Sequence, residues 1–230
     1  ALTYISEAAA GTPVVLGVQR RDDMAYYNSA VLLGPDAEVV QTYDKHHLVP
    51  FGEYIPFGDL LGRIGLRGMA AQFGSGFSSG PGADLMDLGP LGQALPLICY
   101  EAVFARDVNA APARPAFLMQ LTNDAWFGKG QGPLQHLAQA RMRAIEQGLP
   151  MARVANTGVS AMIDPWGRIT KSLALNEAGF LDAPLPAPRP ATPYSRWGEW
   201  PFLFITLAGF ALVILRRRRN LKFDQRGRQS

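Results

Sequence analysis

The sequence predicts a layered α/β domain that is followed by a single membrane-spanning helix. Short apolar runs alternate with helical stretches over most of the 230 residues, which is the pattern of a sheet covered by helices. Near the end of the chain, residues 200–215 contain no charge and are followed by four consecutive arginines. Because a core helix rarely ends in this way, the pattern favours a membrane span.

Seven short segments are predicted as strands from their apolar and β-branched residues. Gly34-Pro35-Asp36, between the second and third of them, is typical of a hairpin turn. The predicted strands are residues 13–18, 28–33, 38–42, 95–98, 116–122, 151–155 and 160–163.

The clearest helix is predicted from Pro133 to Gln147. Its apolar residues at helical spacing should form one face that packs on a sheet. These residues are Leu134, Leu137, Ala138, Met142 and Ile145.

A glycine-rich segment, whose composition differs from that of its surroundings, lies between residues 57 and 87. It holds eight glycines interleaved with apolar residues, among them Leu66, Met69 and Phe73. So many glycines predict a long mobile loop. Its apolar side chains either contact lipid or complete the core.

The chain as a whole divides into four parts. We predict an α/β domain over residues 1–182 and a linker over residues 183–196, since five prolines fall within residues 183–193. A transmembrane helix is predicted over residues 197–215 and a basic cytoplasmic tail over residues 216–230.

The net charge of the chain is +3, but the last fifteen residues carry +6, so the rest is at −3. The positive charge is therefore a terminal cluster, which indicates a membrane partner and no nucleic acid.

Cys99 is the only cysteine of the chain and follows an apolar run that ends at Ile98. A thiol at the end of a strand is held rigidly and suits a nucleophile, although a lone cysteine is often only an inert buried group. A thiol has an ordinary pKa of about 8.5, so a nucleophilic cysteine needs a nearby cation or a base. Lys45, just past a predicted strand, can be that cation. It would also stabilise an oxyanion together with a backbone N–H next to Cys99.

Polar and aromatic residues follow another predicted strand. Asn123 and Trp126 either shape the site or anchor a loop. The three histidines lack the spacing of metal ligands, and no cofactor is expected. His136 is a candidate base for Cys99, but a structural histidine is favoured.

Several motifs together resemble the nitrilase superfamily, the carbon–nitrogen hydrolases. These are Lys45 with Glu53, the Cys99 segment, and residues 140–146, 153–158 and 163–167. The resemblance implies a four-layer α-β-β-α sandwich with a catalytic set of Glu, Lys and Cys. Lys45 and Cys99 would be two members of that set.

Three motifs resemble one branch of the superfamily, which acylates lipoproteins in the bacterial inner membrane. They are residues 47–56, 98–101 and 122–128, and the C-terminal span adds to the likeness. The resemblance implies that Cys99 takes an acyl chain from a phospholipid as a thioester. The chain then passes to the N-terminal amine of a diacylglyceryl lipoprotein acceptor. Glu53, Tyr100 and Glu101 would support the active site, and Leu66, Met69 and Phe73 would belong to a lid facing the lipid bilayer.

The family's catalytic glutamate belongs to a strand upstream of the helix and strand with which this sequence opens. Glu7 lies on the wrong element, so we expect the base outside these 230 residues. Two alternatives therefore stay open, a membrane-anchored nitrilase-type amidase and a non-catalytic domain that binds lipid or lipoprotein. In either case the domain is expected on the periplasmic side and the arginines in the cytoplasm.

Overall fold

The structure of the protein is a computed structural model that describes residues 2–56 and 76–227, with side chains to residue 217. Leu66, Met69 and Phe73 lie outside the described residues, so the predicted lid is not part of the description. The chain forms two compact units, one up to Pro190 and one from Ala191 onward.

The first unit begins with helix α1 (Leu2–Ala8) and a three-stranded antiparallel sheet. Its strands β1 (Val14–Asp22), β2 (Ala25–Leu33) and β3 (Val39–Asp44) pair in chain order. The strand predictions are confirmed, but β1 extends four residues further than residue 18. The extension is polar, and Arg20 stabilises it by pairing with Asp44 of β3 at 2.7 Å.

A second sheet has six strands in chain order. They are β4 (Met86–Asp87), β5 (Gln93–Ile98), β6 (Phe117–Asn123), β7 (Met151–Asn156), β8 (Ser160–Ile163) and β9 (Ile169–Leu173). Strands β5, β6 and β7 are parallel, and Ile98 pairs with Leu121. The carboxyl ends of these three strands therefore meet at one edge of the sheet, where functional residues are expected.

The two sheets pack face to face over one core, and helices cover the outer face of the larger sheet. Strand β5 alternates accordingly: Ala94 and Ile98 face the first sheet, whereas Leu95 and Leu97 face the helices. The helices on that side are α2 (Ala105–Asn109) and α3 (Gly132–Gln147). Burying both faces of a strand explains why β5 is almost entirely apolar. The predicted α/β layered class is confirmed.

Helix α3 is confirmed, but of its predicted apolar face only Leu137 is buried. Leu134, Met142 and Ile145 are each more than 40% exposed. The buried residues of the helix are Pro133, His136, Leu137, Ala140, Arg143, Ala144 and Gln147. The small alanines allow the helix to approach the sheet closely. The buried polar side chains of this face form hydrogen bonds, so their burial is tolerated although the larger apolar side chains lie on the exposed side of the helix.

The sequence predicts that the chain after β9 becomes a linker at residue 183. The first unit instead extends to Pro190. Leu185 packs against the core between the sheets, and the N–H of Arg189 donates to the carbonyl of Gly148 at 2.9 Å. The second unit holds α4 (Pro193–Trp197) and α5 (Trp200–Gly227). Trp200–Arg217 has a mean hydropathy of 1.5 and is long enough to cross a membrane.

Candidate active site

Cys99 lies at the carboxyl end of β5, where the chain turns into a short 3₁₀ helix that ends at Val103. Its φ angle is +50°, a conformation that costs a non-glycine residue on the order of 1–3 kcal/mol. The side chain is partly buried and the thiol is free. The sheet thus holds a strained cysteine at its edge, an arrangement that suits a nucleophile.

Lys45 directly follows β3 and is almost completely buried, with 1% of its side chain exposed. Its Nζ lies 2.6 Å from Oε2 of Glu53. A buried ammonium requires such a partner, because removing a lone charge from water is very unfavourable. Glu53 thereby fixes the position of the ammonium in the site.

Glu53 is itself held by two further donors. Its Oε2 accepts the N–H of Val49 at 2.8 Å, and its Oε1 accepts Nδ2 of Asn28 at 3.0 Å. Asn28 and Glu53 are 25 positions apart in the sequence, so the tertiary fold brings them together. Both carboxylate oxygens are therefore committed to holding the lysine segment in place.

Glu101 connects the cysteine turn to the lysine segment, and it is fully buried. Its Oε2 accepts the N–H of Ile98 at 2.7 Å. Its Oε1 accepts the hydroxyl of Tyr43 and the N–H of His46, each at 2.9 Å. One carboxylate therefore bonds to the residue before Cys99 and to the residue after Lys45.

The environment of Glu101 also shifts the pKa values of its neighbours. The imidazole ring of His46 also contacts Glu101, with Nδ1 2.8 Å from Oε1. This side-chain hydrogen bond raises the pKa of His46 above its ordinary value, although burial opposes the rise. Burial, and then the charge of Glu101, raises the pKa of Tyr43, so its phenol stays protonated. Tyr43 therefore remains a hydrogen-bond donor to Glu101.

Tyr100 follows Cys99 and packs edge-on against aromatic rings. Its ring centroid lies 5.3 Å from that of His47 and 4.8 Å from that of Phe104. His47 in turn contacts Asp107 at 2.5 Å. This packing fixes the residue whose N–H directly follows Cys99 in the chain.

Asn123 ends β6 at the same edge of the sheet. Its Oδ1 accepts the N–H of Ala125 at 3.2 Å and Nδ2 of Asn156 at 3.1 Å. Asn123 thus anchors the turn that follows β6. Trp126 lies on this turn and is 69% exposed.

A buried polar cluster lies behind the cysteine turn. His136 of α3 places Nε2 3.1 Å from the carbonyl oxygen of Cys99 and Nδ1 2.9 Å from Asp124. Burial would raise the pKa of Asp124, but the hydrogen bond to His136 and the charge of Arg153 bring it below the ordinary value. Both ring nitrogens of His136 thus contact groups other than the thiol, which favours the structural role over that of a base.

Each of the three histidines contacts a carboxylate, namely Glu101, Asp107 or Asp124. In the part of the chain that the structure describes, no three His, Cys, Asp or Glu side chains converge as metal ligands would.

A strand-end cysteine and a buried lysine–glutamate pair, whose segments Glu101 joins on two stacked sheets, define a class of hydrolase-like enzymes. The carbon–nitrogen hydrolase family matches residues 6–189, and the chain belongs to this family. Among curated relatives, the apolipoprotein N-acyltransferase of Rhodopseudomonas palustris is 48% identical over 192 residues, covering 84% of this chain and 36% of that protein. The enzyme of the same name from Bradyrhizobium diazoefficiens is 44% identical, covering 90% of this chain and 40% of that protein. The chain therefore spans well under half the length of these relatives.

Solved structures support the fold. The carbon–nitrogen hydrolase of Helicobacter pylori aligns with a TM-score of 0.55 at 17% identity, covering 77% of this chain and 63% of that chain. An amidase from Nesterenkonia sp., with the acetamide moiety of fluoroacetamide added at its active-site cysteine, aligns with a TM-score of 0.55 at 21% identity. That alignment covers 77% of this chain and 63% of the amidase chain. The nitrilase-like fold expected from the sequence is confirmed.

Proposed function

We propose that this chain is the catalytic part of an N-acyltransferase that works through a thioester on Cys99. The donor is a phospholipid, and the acceptor is the N-terminal amine of a diacylglyceryl-modified lipoprotein. The observation that carries the proposal is the strained Cys99 turn, tied by Glu101 to the segment of the buried Lys45. Relatives named apolipoprotein N-acyltransferase, at 44–48% identity, support the choice of this reaction.

In the first half-reaction the sulfur of Cys99 attacks the ester carbonyl of the phospholipid. The C–S bond forms, the bond from the carbonyl carbon to the glycerol oxygen breaks, and a lysophospholipid leaves with the thiol proton. Negative charge develops on the carbonyl oxygen in between. The ammonium of Lys45 and the N–H of Tyr100 are the donors that stabilise this oxyanion.

In the second half-reaction the lipoprotein amine attacks the thioester. An amide bond forms, the C–S bond breaks, and one amine proton returns to the sulfur. The same oxyanion donors serve both steps, since both pass through a tetrahedral intermediate.

Neither Glu53 nor Glu101 is assigned as the base that moves these protons. Glu53 accepts from Lys45, Val49 and Asn28, and Glu101 accepts from the backbone on both sides of the site. Their oxygens are occupied in holding the site together. We assign both to positioning the lysine and the cysteine.

The C-terminal helix supports a location at the membrane. The candidate span Trp200–Arg217 is uncharged up to Leu215, and none of it is buried in the structure. It runs into the arginines from Arg216 to Arg219. We propose that it crosses the bacterial inner membrane with these arginines in the cytoplasm. The catalytic unit would then lie on the periplasmic side, next to its phospholipid donor.

The test is acyl transfer by the full-length protein in detergent, from a phospholipid with a labelled acyl chain to a synthetic diacylated lipopeptide. We expect labelled triacylated lipopeptide, and none with the Cys99→Ser variant. Release of labelled fatty acid without transfer would indicate a hydrolase instead. Binding of phospholipid without any label on protein or peptide would indicate a non-catalytic domain.

A further inference from the structure

We propose that His136 and Gln120 are positioning residues that hold the carbonyl group of Cys99 from the buried side of the turn. By doing so they aim the N–H of Tyr100 at the oxyanion of the reaction. This inference rests on the proposed function, and the experiment below separates the failure of one from the failure of the other.

Two side chains from different elements converge on the carbonyl oxygen of Cys99. Nε2 of Gln120, on β6, lies 3.3 Å from this oxygen, and Nε2 of His136, on α3, lies 3.1 Å from it. The two nitrogens also lie 3.1 Å from each other. When Nε2 of His136 carries a proton it donates to the carbonyl directly. When it does not, it accepts from Gln120, which still donates to the carbonyl with its other N–H.

A peptide plane transmits this contact to the site. The carbonyl of Cys99 and the N–H of Tyr100 belong to the same peptide group, and the described chain holds no cis peptide bond. In a trans peptide the C=O and N–H point in opposite directions. A carbonyl held toward the buried cluster therefore directs the N–H of Tyr100 away from it, toward the side where a substrate can bind. As an early residue of a 3₁₀ helix, Tyr100 has no acceptor within that helix for this N–H.

The cluster behind the carbonyl is built rigidly. Arg153 is 2% exposed and Asp124 is fully buried, and their side chains lie 2.5 Å apart. Arg153 also donates to Oε1 of Gln120, which fixes the amide so that Nε2 faces Cys99. Asp124 contacts Nδ1 of His136 at 2.9 Å. Each of the two groups on the carbonyl is thus oriented by a second buried group.

Such support is needed because the turn is strained. Cys99 adopts a φ of +50°, and a residue in this region keeps its conformation only when its surroundings impose it. Without the buried partners, the peptide between Cys99 and Tyr100 can rotate and carry the N–H away from the oxyanion.

Two replacements of His136 in the full-length protein test the inference. His136→Gln retains a polar group at the position of Nε2, which faces Cys99, whereas His136→Asn retains one only at the position of Nδ1, which faces Asp124. We expect His136→Asn to lower kcat for acylation by about 10- to 100-fold with little change in KM, since a misaligned oxyanion donor costs that much. His136→Gln should stay within about fivefold of wild type, because it rescues the contact at Nε2.

A stability control accompanies the pair. Leu137→Ala removes a buried side chain from the next position of α3, which is 7% exposed, packs in the hydrophobic core and, being apolar, donates no hydrogen bond to the carbonyl. It should lower the melting temperature and leave kcat near wild type. A different result would overturn the proposal in favour of a structural role. In that result both His136 variants lose the same amount of kcat, and Leu137→Ala, at the same loss of stability, loses as much kcat as they do.

A second variant keeps the test valid if His136→Asn does not fold. Gln120→Glu keeps the shape and gains an ion pair with Arg153, but it replaces the N–H donor facing Cys99 with a carboxylate oxygen. We expect a lower kcat with an unchanged or higher melting temperature. Wild-type kcat in this variant would overturn the proposal. If the wild-type protein itself forms no thioester, the proposed function fails, whereas normal thioester formation in every variant refutes only the positioning role.

Discussion

Neutralising Glu53 tests how the site holds its buried lysine. In Glu53→Gln the ammonium of Lys45, 1% exposed, loses the carboxylate that lies 2.6 Å away. Breaking one partner of a buried pair costs about 3–5 kcal/mol. Because 15% of the Glu53 side chain is exposed to solvent, we expect a smaller cost, about 2–3 kcal/mol.

The hydrogen bonds of Glu53 also predict a loss of stability in Glu53→Gln. Glu53 accepts from Lys45, Val49 and Asn28, and a glutamine offers one acceptor oxygen to these three donors. For a domain of this size, a loss of about 2–3 kcal/mol lowers the melting temperature by roughly 4–12 °C. Acylation should fall by about 10²-fold or more, as for the loss of an oxyanion donor, because Lys45 is no longer held in place.

Thermal melting in detergent and the rate of thioester formation measure the two effects. Asp22→Asn is the matched control, since Asp22 also pairs with a cation, Arg20, but its side chain is 66% exposed. The control should cost less than about 1 kcal/mol. A Glu53→Gln protein that melts and acylates like wild type would refute the role given to this pair.

Three further predictions concern neighbouring residues. Lys45→Arg should lose about 10²-fold or more in acylation, since a planar guanidinium does not fit the place of a compact buried ammonium; near-normal single-turnover rates would contradict this. The pKa of His46 is raised by Glu101, so its contribution to stability is complete below the unfolded pKa of about 6.5 and is lost as the pH rises through the folded value. Melting temperatures should therefore fall over this range, and less so in His46→Gln; identical pH profiles would exclude the effect. Gly80→Ala should destabilise the domain, because a Cβ would lie 2.1 Å from the carbonyl oxygen of Asp44, whereas Gly130→Ala, with nothing within 4 Å, should not. Equal melting temperatures of these two variants would rule out the close approach.

Local patterns in the sequence were sufficient for most of the fold. Apolar runs predicted strands within β1, β2, β3 and β5 to β8, and periodicity predicted α3. The buried face of α3 was not predictable in the same way. His136 faces inward because it forms a hydrogen bond with Asp124, and Arg143 because it donates to the carbonyl of Val103. Such partners are distant in sequence.

The candidate site likewise has some features that the sequence predicts and others that depend on the tertiary structure. The placement of Cys99 at the end of one strand and of Lys45 directly after another could be predicted from the sequence pattern. The partner of Asn28 could not be predicted, because its contact with Glu53 depends on how β2 lies beside the segment after β3. Gln120 and Arg153 lie inside apolar strand patterns, and only the tertiary structure reveals that they form a buried cluster behind Cys99.

The most direct test of the account is the chemical state of Cys99 after incubation of the full-length protein with a phospholipid carrying a labelled acyl chain. We predict a label that hydroxylamine releases and that mass spectrometry locates on the peptide containing Cys99, the only cysteine of this chain. The Cys99→Ala variant should carry none. A hydroxylamine-sensitive acyl label that persists in Cys99→Ala would contradict the account.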